Sequence, residues 1–176
     1  MIIGSDIMEI INIDLKDKNI KDFQSIIDEC QIIINENLIV NGGTLKKADI
    51  FKKDFDWTNL IIAKEDGKVV GFTLVKMSDN KHSVDNTENY LYVSDIVVKN
   101  EYKRKGIGTM LMGKVMEIKG ELPVVASALK TNDASIKLLT KFMTCYGESP
   151  KKMYYRFIDN ETYSKVYGDK PSSLGM

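Results

Sequence analysis

Eight consecutive residues, Tyr102-Lys103-Arg104-Lys105-Gly106-Ile107-Gly108-Thr109, bring together the residue types that a phosphate group requires. Lys103, Arg104 and Lys105 are three adjacent cations, enough to compensate a ligand with more than one negative charge. Gly106 and Gly108 let a backbone curl tightly and approach a ligand closely. If a helix starts just beyond them, its first N–H groups lack intrahelical acceptors and carry the positive end of the helix dipole. Such an end is an anion site, and pyrophosphate is the ligand expected here. Taken alone, Gly-x-Gly is weak, because a basic turn before a helix is also an ordinary solvated loop. The context favours the phosphate: a strand-like run, Tyr90 to Val98, precedes the turn and a helix-like run, Thr109 to Lys119, follows it. Two other phosphate motifs are excluded. A dinucleotide fingerprint needs a third glycine where Leu111 stands, and Gly-x-x-x-x-Gly-Lys-Ser/Thr occurs nowhere.

Other reactive side chains read as structural. His82, the only histidine, sits in the polar stretch Asn80-Lys81-His82-Ser83 and reads as solvated. Cys145 has no placeable histidine partner, and an unactivated thiol is mostly protonated, so it reads as a small semi-buried residue. Trp57, Phe51 and Phe55 suit an acceptor pocket and core packing equally. Lysines plus arginines and aspartates plus glutamates number 25 each, so no global field points to nucleic acid or an anionic membrane. Cys30 and Cys145 are too few for a disulfide framework and lack metal-ligand spacing, which implies a reducing compartment and no metal. No basic leader or membrane-length apolar run is present, so a cytoplasmic protein is expected.

Alternating strands and helices must carry the turn. Met8 to Ile13 alternates as a strand, and Lys18 to Ile34 places Ile20, Phe23, Ile26, Ile27 and Cys30 at helical spacing before Asn41-Gly42-Gly43. Thr44 caps a short second helix to about Asp54. Leu60 to Lys64 and Val69 to Met77 form a hairpin about an Asp66-Gly67 turn, followed by a polar loop, Ser78 to Asn89. Tyr90 to Val98 is apolar enough to be an interior strand with both faces covered. Ile107, Leu111, Val115 and Ile118 stripe the helix after the turn. Leu122 to Leu129 is the next strand, and a strand–helix–strand order implies parallel pairing with a right-handed crossover. A helix over Asn132 to Phe142, with Asn132 at its N-cap, and a strand over Lys151 to Ile158 complete one domain over residues 1–176, with a loose tail from about 168.

The segment Ile96-Val97-Val98-Lys99-Asn100-Glu101-Tyr102-Lys103-Arg104-Lys105-Gly106-Ile107-Gly108 resembles motif A of the GCN5-related N-acetyltransferases, Arg/Gln-x-x-Gly-x-Gly/Ala, which binds the pyrophosphate of acetyl-coenzyme A. Asn132-Asp133-Ala134-Ser135-Ile136-Lys137-Leu138-Leu139 is similar to the family's Asn-x-x-Ala-x-x-Leu-Tyr segment. Lys103 stands in place of Arg or Gln, Ser135 in place of Ala, and Leu139 in place of the Tyr that commonly protonates the departing thiolate. Either another hydroxyl, of which Tyr146 is the nearest candidate, takes over that role, or the thiolate leaves without such help.

The resemblance implies an α/β fold with a central twisted mixed sheet of six to seven strands flanked by about four helices and a parallel β-α-β cofactor core. It implies acetyl-coenzyme A as co-substrate, contacted by Ile96, Val97, Val98, Lys103, Arg104, Lys105, Gly106, Ile107, Gly108, Thr109 and Asn132. The pantetheine arm would add as a pseudo-strand beside Ile96 and Val98, where the central strand splays from its parallel neighbour, with an N–H near Val97 as oxyanion donor. The acceptor is a primary amine on a small molecule or peptide, attacking directly without an acyl-enzyme. A lysine-like amine is neutral in roughly one molecule in a few thousand at pH 7, so a general base is expected. Asp95 is the candidate, since it alternates onto a face with Leu91, Val93 and Val97, where desolvation raises a carboxylate pKa. An ion pair, or a bulge that turns Asp95 outward, is the structural alternative. Homodimers are compatible with the family. The competing function is a non-catalytic acyl-coenzyme A sensor, favoured by Leu139.

Overall fold

Residues 7–16, 20–40, 57–78 and 89–157 are described by the computed structural model. The helix expected over Thr44 to Asp54, the expected tail and all of the loop expected over Ser78 to Asn89 except its two end residues lie outside them. Among the described residues the elements run β1 (Met8–Asp14), α1 (Gln24–Val40), β2 (Asn59–Glu65), β3 (Lys68–Ser78), β4 (Tyr90–Val98), α2 (Ile107–Ile118), β5 (Val124–Leu129), α3 (Asp133–Phe142), β6 (Thr144–Glu148) and β7 (Lys152–Phe157). The strand order is β1-β2-β3-β4-β5-β7-β6. This is the expected mixed α/β architecture, with seven strands and three α-helices among the described residues.

The chain forms two compact units, one of Met1–Met77 with Val93–Ile118 and one of Ser78–Tyr92 with Lys119–Met176. In the first, β1, β2 and β3 are an antiparallel meander. The β2–β3 connection is the two-residue turn that Asp66-Gly67 specifies: both residues take positive φ, 50° and 78°, as a type I′ turn demands. Leu60, Ile61, Ile62 and Ala63 are all completely buried, so β2 is covered on both faces, which explains its unbroken apolar run. On one face, Cys30, Ile33 and Ile34 of α1 join Ile13, Leu60, Ile62, Phe72 and Leu74 in a cluster. Each fully buried large aliphatic or aromatic side chain there contributes about 1.5–3 kcal/mol. The Glu29 carboxylate accepts the Val69 amide at 2.9 Å, tying α1 to the start of β3.

On the opposite face α2 packs across β1 and β2 and buries Ile107, Leu111, Met112 and Val115. Gly71 permits this approach. A Cβ on it would stand 3.0 Å from the Val97 carbonyl oxygen, 3.3 Å from Ile107 Cγ2 and 3.5 Å from Leu111 Cδ1.

β4 departs from expectation. Its strand neighbours lie on both sides, but only Leu91 and Val93 are buried; Tyr90, Tyr92, Ser94, Ile96, Val97 and Val98 are half-buried. Among the described side chains of the strand, burial is therefore confined to Leu91 and Val93 near its start, and the stretch from Ile96 to Val98 that leads to the turn is partly open.

In the second unit the Leu91 amide donates to the Pro123 carbonyl at 2.9 Å, so β4 and β5 set out from the same end, as parallel strands joined by a crossover must. β5 and β6 both pair with β7 antiparallel. β6 has no counterpart in the sequence reading. Its pairing slips between Cys145 and Gly147, leaving Tyr146 as the extra residue of a bulge. α3 packs against β5, β6 and β7 and buries Leu139.

Candidate functional site

The turn after β4 is built from local backbone geometry. Lys99 donates its amide to the Val70 carbonyl at 2.8 Å, which closes the strand. A single 3-10 turn over Asn100–Tyr102 follows, with the Tyr102 amide on the Lys99 carbonyl at 2.8 Å. Lys103 is extended at φ −65°, Arg104 is left-handed at φ 65°, and Gly106 is left-handed at φ 80°. Lys105 is absent from the positive-φ residues, so the sign of φ alternates from Lys103 to Gly106. The left-handed residues Arg104 and Gly106 turn the chain sharply from Lys103 into the start of the next helix.

Helix α2 begins at Ile107, two residues earlier than the sequence reading placed it. Gly108 is therefore a first-turn helical residue and not a turn residue. The first intrahelical bond recorded at this end is Met110 N to Gly106 O at 3.1 Å, which makes Gly106 the N-cap. The amides of Ile107 and Gly108 have no acceptor within the helix, and they carry the positive end of its dipole. The buried Ile107 side chain anchors this end to the core, so the amides are held by packing and not by the loop alone.

Charge surrounds the turn. Lys103, Arg104 and Lys105 are all exposed. The Lys105 ammonium lies 5.1 Å over the Tyr102 ring. The Tyr102 pKa is raised above the ordinary value, first by side-chain hydrogen bonding with Glu65 at the end of β2, then by partial desolvation and the nearby charges of Glu65, Glu101 and Asp66. Tyr102 therefore holds its proton more firmly than a free phenol and cannot act as a base near pH 7.

The remaining expected site residues fall elsewhere. Asp95 lies in β4, and its side chain is outside the described residues. Beside it, Ser94 Oγ receives the Leu74 amide at 3.1 Å. Asn132 is the N-cap of α3, with its Oδ1 accepting the Ser135 amide at 3.2 Å, which leaves the side-chain NH₂ to serve a ligand as donor. Tyr146, on the β6 bulge, has its ring 6.3 Å from that of Tyr154, with the Arg156 guanidinium 5.3 Å above it. Leu139 is buried, so the α3 position that would carry a hydroxyl in the family packs into the core. Cys30 is wholly buried, and burial, reinforced by the Glu29 charge, pushes its thiol up to about 12; it is inert at neutral pH. Cys145 is exposed and donates to the Gly147 carbonyl at 3.4 Å. Gly71 and Glu65 went unseen in the sequence. The Val69-Val70-Gly71-Phe72 run held a signal for the former, since a glycine within a strand marks a close backbone approach.

Comparison with known proteins agrees with this geometry. Residues 28–143 match the family model described as Acetyltransferase (GNAT) family. Among solved structures, PH1933 from Pyrococcus horikoshii OT3 superposes with a TM-score of 0.64 at 21% identity, covering 86% of this chain and 99% of the other. NAA60 of Arabidopsis thaliana in complex with acetyl-CoA superposes at 0.61 with 14% identity, covering 86% and 100%. A PaiA N-acetyltransferase from Thermoplasma acidophilum in complex with coenzyme A gives 0.59 with 16% identity, covering 86% and 99%. At such identities the structural likeness establishes the fold.

Proposed function

The chain belongs to the GNAT acetyltransferase family, and from that premise we propose that it moves the acetyl group of acetyl-coenzyme A to a primary amine by direct attack in a ternary complex. The observation that carries this reading is the alternating backbone from Lys103 to Gly106 feeding the start of α2, with three exposed cations around it. A pyrophosphate suits a helix start flanked by cations, and two of the structural neighbours hold coenzyme A or acetyl-CoA.

In this reading the amides of Ile107 and Gly108, with Thr109 closing the first turn, receive the pyrophosphate, while Lys103, Arg104 and Lys105 neutralise it. Ile96, Val97 and Val98 form the stretch of β4 along which the pantetheine arm extends, and the Val97 N–H is the oxyanion donor. Asn132 offers its side-chain NH₂ to the same ligand. The amine nitrogen bonds to the thioester carbonyl carbon, the carbon–sulfur bond breaks, and the amine loses a proton. Asp95 takes that proton, directly or through water, and Tyr146 supplies one to the departing thiolate. Most of the acceleration comes from holding amine and thioester together. Two thiols without a disulfide fit a cytoplasmic setting, and among the described residues no helix is long and apolar enough to cross a membrane.

One observation favours a second reading. Leu139 is buried where the family commonly has a hydroxyl, which suits a sensor that binds acyl-coenzyme A without turning it over. Release of free thiol from acetyl-coenzyme A in the presence of an amine panel decides between them. Amine-dependent release is expected, whereas saturable binding with no turnover across the panel would leave the sensor.

A further inference from the structure

We propose that the β2–β3 hairpin braces the pyrophosphate seat, and that Gly71, Glu65 and Tyr102 are positioning residues for the coenzyme. The proposal rests on the reading of the turn as the coenzyme seat. Three attachments on the hairpin grip successive parts of that turn. Before it, the Val70 carbonyl holds the Lys99 amide at 2.8 Å. Within it, the Tyr102 ring lies beneath the Lys105 ammonium, 5.1 Å away, and Glu65 at the end of β2 is near enough to influence the Tyr102 hydroxyl. After it, Gly71 leaves room for Ile107, the first residue of α2.

Gly71 is decisive because it touches both walls of the seat. An added Cβ would press on the Val97 carbonyl oxygen at 3.0 Å and on Ile107 Cγ2 at 3.3 Å. The first of these atoms is strand backbone and cannot swing aside as a side-chain tip would. Relief must come from moving the end of β4, the start of α2, or both, and either movement changes the spacing of the amides that face the anion. Glu65 adds an argument from sign. A carboxylate beside an anion seat opposes binding through Coulomb repulsion, so charge alone predicts tighter coenzyme binding once it is removed. A brace predicts the reverse.

Calorimetric titration with coenzyme A separates these outcomes in Glu65→Ala, Tyr102→Phe, their double variant, Gly71→Ala, and the control Ile33→Val on the α1 face. Glu65→Ala and Tyr102→Phe should each weaken binding by about 3- to 10-fold, and the double variant by no more than the worse single, since both remove one bond. Gly71→Ala should weaken it by about 10-fold or more, with the control unchanged. Tighter or unaltered binding in Glu65→Ala, additive losses in the double variant, or a folded Gly71→Ala that binds as the parent does would each overturn the proposal. If Gly71→Ala does not fold, the Glu65–Tyr102 cycle decides alone. A parent protein that gives no heat with coenzyme A removes the coenzyme reading itself, a result distinct from a parent that binds and variants that match it.

Discussion

Gly106 and Arg104 share a left-handed backbone but not its consequences. A Cβ on Gly106 would meet nothing within 4 Å, so Gly106→Ala is opposed by its φ of 80° and not by space. We expect it to destabilise the fold by about 1 kcal/mol in chemical denaturation, with Asn tolerated better than Ala. Arg104 already bears that strain at φ 65°. Arg104→Gly should therefore stabilise the protein by about 0.5–1 kcal/mol while weakening coenzyme A binding, the binding loss being larger at low salt than at high. A melting temperature and two titrations at different ionic strengths test both halves. The sequence displayed these residues and their charge, but left-handed φ at an arginine was not legible, because only glycine and asparagine advertise it.

Cys30 yields a pH prediction. Its folded pKa is raised to about 12 from an ordinary 9.0, so the folded state keeps a proton that the unfolded state has released. Stability is unaffected by this group below pH 9 and falls as pH rises from about 9 towards about 12. Cys30→Ala should flatten that decline in denaturation curves measured across the range. A thiol reagent at pH 8 should modify one cysteine per native chain, the exposed Cys145, and both after denaturation.

Among the elements, those whose limits are set by local chemistry could be read and those set by packing could not. The Asp66-Gly67 turn and the limits of β4 were legible because turn residues and a short apolar run act over a few positions, although the partial exposure of β4 was not. Helix α2 was read two residues short because Gly108 looks like a turn residue, although at the second helical position its N–H needs no internal partner. β6 was missed: five residues containing Gly147 and a bulge carry no strand period, and only pairing with β7 makes them a strand. Asn132 was legible as a cap, and its loss has a defined size. Asn132→Ala should destabilise by about 1 kcal/mol, while Asn132→Asp keeps the acceptor for Ser135 N and most of the stability. If its NH₂ also holds coenzyme A, the Asp variant will bind more weakly at near-parental stability.

For the molecule as a whole, motif A was legible because an anion seat needs residues close in sequence, whereas the brace from β2 and β3 joins positions 26 or more apart, the shortest being Gly71 to Val97, and emerges only on folding. Ligand linkage tests the assembled seat. Coenzyme A at 100 times its dissociation constant should add about 2.7 kcal/mol and raise the melting temperature by several degrees. Pantetheine, which lacks the pyrophosphate, should give far less at equal concentration. An equal shift from both would move the anchor point away from α2.

The bulge at Tyr146 has a consequence for life at high concentration. β6 ends the strand order, and an outermost strand is a template on which another chain can pair. This one is five residues long, interrupted at its middle, and bears the Glu148 carboxylate paired with Lys130 at 3.0 Å. A short, kinked, charged border offers no run of regularly spaced amides for a second copy to dock upon, so deleting Tyr146 to straighten it should turn a well-behaved protein into one that precipitates.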